Sequence, residues 1–127
     1  MKSTYLFSLI LTSLIFLNCS SSRNSKTKVS IKEARVYIDQ GMTKQEVVGL
    51  IGLPGDRQFK GREEVLQYCE SGWNAHDFLM VWFFDKKVVA MSSYKTHTCP
   101  SGCAGCFKTI DWLSAPDEII ELRTKNI

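Results

Sequence analysis

Long apolar runs are missing from this 127-residue chain. The longest apolar run, Tyr5 to Leu17, has 13 residues, against the roughly 20 that a spanning helix needs. A surplus of one charge is missing from the body of the chain. Of the 16 Lys/Arg, four (Lys2, Arg23, Lys26, Lys28) precede residue 31, leaving 12 against 13 Asp/Glu. That near balance, with no basic stripe interleaved with aromatics, excludes a nucleic-acid-binding surface. Histidine is scarce, with only His76 and His97. His76 beside Asp77 makes no catalytic dyad, because neighbouring strand residues point to opposite faces. There is no G-x-S-x-G, no phosphate-cradling glycine loop and no spaced carboxylate pair. The expectation is a non-enzyme without cofactor or small-molecule substrate.

What the chain does have begins at its start. Met1-Lys2 followed by the short apolar run, then Cys19 and the polar Ser20-Ser21-Ser22-Arg23, has the layout of a bacterial lipoprotein signal. Ile15-Phe16-Leu17-Asn18 resembles a lipobox, although Asn18 stands where a small residue is usual. Cys19 is then the lipid-carrying first residue of the mature chain, and membrane lipid its first partner. Each buried acyl methylene contributes about 0.8 kcal/mol, so several chains make a stable anchor. A plain secretory signal cut nearby and an uncleaved anchor are the alternatives. Ser20 after the cysteine, rather than Asp, fits sorting to the outer membrane, facing the periplasm, with the inner membrane and the cell surface left open. The organisation expected is a signal over 1–18, a basic tether over 19–29 and one domain over 30–127.

The domain opens with two helix starts. Ser30-Ile31-Lys32-Glu33 and Thr43-Lys44-Gln45-Glu46 both match the S/T-x-x-E capping box. Ile31, Ala34 and Ile38 follow the first at helical spacing, up to Gly41; Val47, Leu50 and Ile51 follow the second, with Gly52 and Pro54 as the stop. Three strands are predicted over Val65 to Cys69, Phe78 to Phe84 and Lys87 to Tyr94, and Arg57 to Lys60 gives a weaker strand signal. The short connections favour an antiparallel meander. Because Phe78-Leu79-Met80-Val81-Trp82-Phe83-Phe84 is apolar on both sides, both sheet faces need cover. Ser114-Ala115-Pro116-Asp117 signals a final helix, with Ser114 as N-cap and Ile119, Ile120 and Leu122 as its apolar residues. The fold class expected is α+β: two short N-terminal helices on a three-stranded antiparallel meander, a Cys-rich loop and a C-terminal helix.

The segment Gly41-Met42-Thr43-Lys44-Gln45-Glu46-Val47-Val48-Gly49-Leu50-Ile51-Gly52-Leu53-Pro54 resembles the signature of the SmpA/OmlA (BamE-like) lipoproteins. There a G-M-T segment opens a short helix, L-x-G-x-P closes it and three antiparallel strands follow. The resemblance covers roughly residues 30 to 95. It implies a fold similar to the β-lactamase-inhibitor proteins and a non-enzymatic role in outer-membrane integrity or outer-membrane protein assembly, with envelope or outer-membrane proteins as partners. The motif residues themselves are accounted for by helix capping.

The segment His97 to Cys106 departs from that pattern. With Cys69 it supplies four thiols, Cys69, Cys99, Cys103 and Cys106, which allow three full pairings. In an exported chain disulfides are the first reading: pairing within the loop staples it, and a bond to Cys69 pins it to the sheet. A tetrahedral metal site of His97, Cys99, Cys103 and Cys106 is the rival, and thiol exchange at Cys103-Ala104-Gly105-Cys106 a third option. These make a small metal-binding or thiol-redox envelope lipoprotein the alternative function, with a protein inhibitor of similar fold behind it. Trp73, flanked by Gly72 and Asn74 in a strand connection, is the candidate for binding a partner; packing back onto the sheet is its structural alternative.

Overall fold

The computed structural model describes residues 28–127. The signal, Cys19 and the tether up to residue 27 lie outside the described residues. Both capping boxes form. Ser30 accepts a hydrogen bond from the Glu33 backbone at the start of α1 (Ile31–Tyr37), and Thr43 from Glu46 at the start of α2 (Lys44–Ile51), each Glu reaching back to its cap. Such a cap stabilises its helix by about 1 kcal/mol. α1 stops earlier than the glycine at 41 suggests. Ile38 turns extended and stays buried, while Gly41, at φ +87°, donates its N–H to Val88. The edge of the sheet, not a glycine cap, ends this helix.

The sheet has four strands, not the three of the expected meander. β1 (Asp56–Lys60), β2 (Glu63–Ser71), β3 (His76–Phe84) and β4 (Lys87–Thr96) run antiparallel in chain order. β1 is a short edge strand of sequence Asp-Arg-Gln-Phe-Lys; charge suits an exposed edge and also weakens the strand signal. β3 and β4 join through Asp85 and Lys86, both at positive φ, as a two-residue hairpin requires. Arg62, in the β1–β2 turn, pairs with Asp85 of this hairpin and ties the two turns together. A fifth short strand, β5 (Pro100–Cys103), lies against β2. The opposite edge is partly covered where Thr43 bridges to Lys87 and the Val88 N–H bonds to Met42.

Two cores follow from the two-sided β3. On the first face Leu79, Val81 and Phe83 pack with Leu66, Tyr68 and Val88 beneath Ile31, Ala34, Ile38 and Val47 of the N-terminal segments. On the second face Trp82 and Phe84 meet Val65, Ile110, Ala115 and Ile119. This second layer is built around α3 (Asp117–Lys125) and the preceding turn. The α3 cap differs from the expected one. Pro116 occupies the N-cap without a side-chain bond, and Ser114 belongs to a 3₁₀ turn, Trp112–Ser114, capped by Asp111. Asp117 and Glu118 in the first turn complement the helix dipole instead. Trp112 stands edge-on to Trp82 at 6.1 Å, and Arg123 forks onto Glu63 (Nε to Oε2, 2.7 Å), tying α3 to β2.

Candidate functional site

The second face of the sheet ends in a corner built from all four domain cysteines. Cys69 of β2 is bonded to Cys103 of β5, and Cys99 to Cys106. One bond staples the loop and the other pins it to the sheet, the two roles expected of disulfides. Cys103 is therefore drawn away from the proposed His97, Cys99, Cys103, Cys106 metal set, and its C-x-x-C partner Cys106 is bonded elsewhere. His97 stands apart, its Nδ1 3.2 Å from the Asn74 carbonyl oxygen.

A different histidine reaches the corner. Ser71 pairs with His76 across β2 and β3, and on this face the His76 Nδ1 lies 3.1 Å from Ser71 Oγ and 3.9 Å from Cys103 Sγ. Ser71 Oγ is itself 3.5 Å from that sulfur. Asp77 points the other way and pairs with Lys95 at 3.2 Å, as strand alternation requires. His76 as a neighbour of cysteine was missed because 27 residues separate it from Cys103; only the strand register joins them.

Below the corner the tail is held by polar and aromatic contacts. Phe78 stacks on Tyr94 at 4.4 Å and meets Phe107 edge-on; Phe107 lies where any side chain at residue 55 would fall, so Gly55 makes room for it. Gln67 is fully buried. Its amide donates to Asp56 Oδ2 and to the Lys108 carbonyl, both at 2.7 Å, and its oxygen accepts from the Tyr94 hydroxyl. Gln58 grips the same segment, donating to Lys108 O and accepting from Ile110 N–H, both at 2.9 Å. Burial, with the Asp56 charge adding to it, raises the Tyr94 phenol above its ordinary range. Nothing in the sequence marked Gln67, because a buried glutamine has no motif.

A groove of about 590 Å³ runs past the cystine between the helices and the loop, lined in part by Ile31, Leu53, Tyr68, Cys103 and Phe107. Tyr68 donates to the Gly52 carbonyl at 3.0 Å, and burial pushes its hydroxyl up to about 12. On β2, burial raises the Glu64 carboxyl, but hydrogen bonds from Lys44 and Arg57 overcome this and hold it below the usual range.

The remaining candidate is the tip of the β2–β3 connection. Trp73 is 100% exposed. Gly72 N–H closes the turn onto the Ala75 carbonyl at 2.8 Å, so the indole is presented on a tied loop and does not fold back onto the sheet. The chain enters the domain at the same end: the Ile31 N–H of α1 bonds to Glu70 at 3.0 Å, three residues from Trp73. No protein-family model, curated protein or solved structure matches the chain. Among the described residues no helix is long and apolar enough to cross a membrane.

Proposed function

We propose that this chain is a lipid-anchored, non-enzymatic interaction module of the bacterial envelope, held by acylated Cys19 and meeting an envelope protein through the Trp73 tip. The observation that carries the reading is the bare indole of Trp73, displayed on a tied turn at the end of the sheet where the chain enters the domain. An exposed tryptophan on a hydrogen-bonded turn suits an anchor residue at a protein interface. From Cys19 to Lys28 the backbone reaches at most about 30 Å, so the tip works close to the membrane. The resemblance to the SmpA/OmlA lipoproteins in residues 41–54 supports the same class of role, with outer-membrane integrity or outer-membrane protein assembly as its setting.

The test is site-specific photo-crosslinking in intact cells, with the probe in place of Trp73 or of exposed Gln45 on α2. Metabolic labelling with an alkyne fatty acid, with and without Cys19→Ser, tests the anchor. The reading expects one defined envelope protein from position 73, none from position 45, and label that vanishes with Cys19. Equal crosslinking from both positions refutes the tip, and label that survives Cys19→Ser refutes the anchor.

A further inference from the structure

Three potential ligand atoms from three strands, β2, β3 and β5, converge at the corner of the second sheet face. The sulfurs of Cys69 and Cys103 and a ring nitrogen of His76 all lie within 4.8 Å of one another. We infer that two-electron reduction of the Cys69–Cys103 bond turns this corner into a site for a thiophilic divalent cation such as zinc. Cys69, Cys103 and His76 are its ligands, and a fourth position is open to water.

The chemistry of the donor set fits. Zinc takes thiolate sulfur at about 2.3 Å and imidazole nitrogen at about 2.0–2.1 Å in a tetrahedron. Those bond lengths place the ligand atoms roughly 3.5–3.8 Å apart, and the His76 Nδ1 to Cys103 Sγ distance is already 3.9 Å. Rotation of the freed cysteine side chains supplies the remaining adjustment. Cys69 and His76 are fixed by the β2–β3 ladder on one face. Cys103 stays nearby because the Cys99–Cys106 bond still closes its loop and the Cys106 N–H still reaches the Cys103 carbonyl. Ser71 already sets a hydroxyl against both His76 and Cys103. The three ligands are half-buried, so reductant and cation reach them from solvent.

The balance of the step is simple. A dithiol attacks the cystine through one thiolate, closes its own disulfide with the second, and leaves Cys69 and Cys103 as two thiols. Zn²⁺ then displaces the two thiol protons and gains two sulfur ligands and one nitrogen ligand. With the bond intact no thiolate is present, and the site is closed to zinc.

The test uses the full chain in mild detergent, carrying Cys19→Ser with the Cys99–Cys106 bond kept, and reduces it with limiting dithiothreitol to two thiols per chain, which alkylation and peptide mapping assign to Cys69 and Cys103. After dithiothreitol treatment and its anaerobic removal, zinc is titrated against a chromophoric chelator, and Co²⁺ absorption reports the ligand geometry. The inference expects one zinc per reduced chain, none per oxidised chain, a tetrahedral thiolate Co²⁺ spectrum, and affinity lowered at least about tenfold by His76→Gln. Near-ultraviolet dichroism of the oxidised His76→Gln chain checks that it is folded. No zinc uptake on reduction overturns the inference. So does uptake that His76→Gln leaves unchanged, because two thiols of a loosened chain then suffice.

Discussion

Removing the Cys69–Cys103 bond should cost the domain more than removing Cys99–Cys106, because the two close loops of very different length. The bonds span sequence separations of 34 and 7 residues. In the chain-entropy treatment the unfolded state is constrained in proportion to 2.1 + 1.5R ln n, which gives about 3.8 kcal/mol for the long loop and about 2.4 kcal/mol for the short one. Cys69→Ala/Cys103→Ala and Cys99→Ala/Cys106→Ala, each leaving the other bond intact, isolate the two terms. Urea unfolding is followed by the fluorescence of Trp82, buried against the second layer, and of Trp112 at its edge; Trp73, already in water, contributes a constant background. At a slope of about 1.3 kcal/mol per molar urea, the midpoints should fall by about 3 M and about 2 M respectively. Equal losses, or a larger loss from the short loop, refute the entropic account. They would mean that the native contacts around Phe107 and Gln67 hold the tail regardless of the long bond.

Arg123→Ala strands the nearly buried Glu63 carboxylate and removes the tie between α3 and β2; a loss of about 2 kcal/mol in the same unfolding assay is expected. Tyr68→Phe removes one buried hydrogen bond and should cost about 1 kcal/mol at neutral pH. It should also change the alkaline limb. The phenol titrates near 10.0 when unfolded and about 12 when folded. Its contribution is therefore complete below pH 10 and is lost as pH rises through about 12. The variant's stability, followed by circular dichroism, should fall less steeply than the parent's over that interval, and an unchanged slope counts against the assignment. Glu64 acts at the other end: its carboxyl is held below the ordinary value, so stability present above the unfolded value is lost as pH falls through the folded one. Glu64→Gln should flatten that acid limb.

Local signals carried the helices and the central strands. The capping boxes at Ser30 and Thr43 and the β-branched and aromatic run of β3 are encoded within a few residues, so they were legible. The unbroken apolarity of Phe78 to Phe84 also announced two covered faces, and α3 with its preceding turn supplies the second cover. β1 was nearly lost because Asp56, Arg57 and Lys60 give a charged edge strand, which stabilises itself by pairing and not by burial. The α3 start misled because Ser114 and Pro116 both resemble caps, and the chain uses the serine in an earlier turn. At the corner, the presence of disulfides was readable from cysteine number, whereas the pairing was not. Local spacing groups Cys99, Cys103 and Cys106 with His97, but β5 lies along β2 and hands Cys103 to Cys69. His76 and Gln67 entered only through strand register, which no linear motif records.

The two bonds interlace along the chain: in the order 69, 99, 103, 106 the first cysteine joins the third and the second joins the fourth. Neither links consecutive thiols, while 103 with 106 and 99 with 103 are the shortest closures open to the unfolded chain. Loop-closure entropy favours those short rings first. A chain oxidised before its sheet has formed is thus trapped with the wrong partners, and it reaches the native pairing only by thiol–disulfide exchange. Yield therefore depends on the timing of oxidation relative to β2–β3 pairing, and a compartment supplying an isomerase as well as an oxidant is the one in which this sequence matures efficiently.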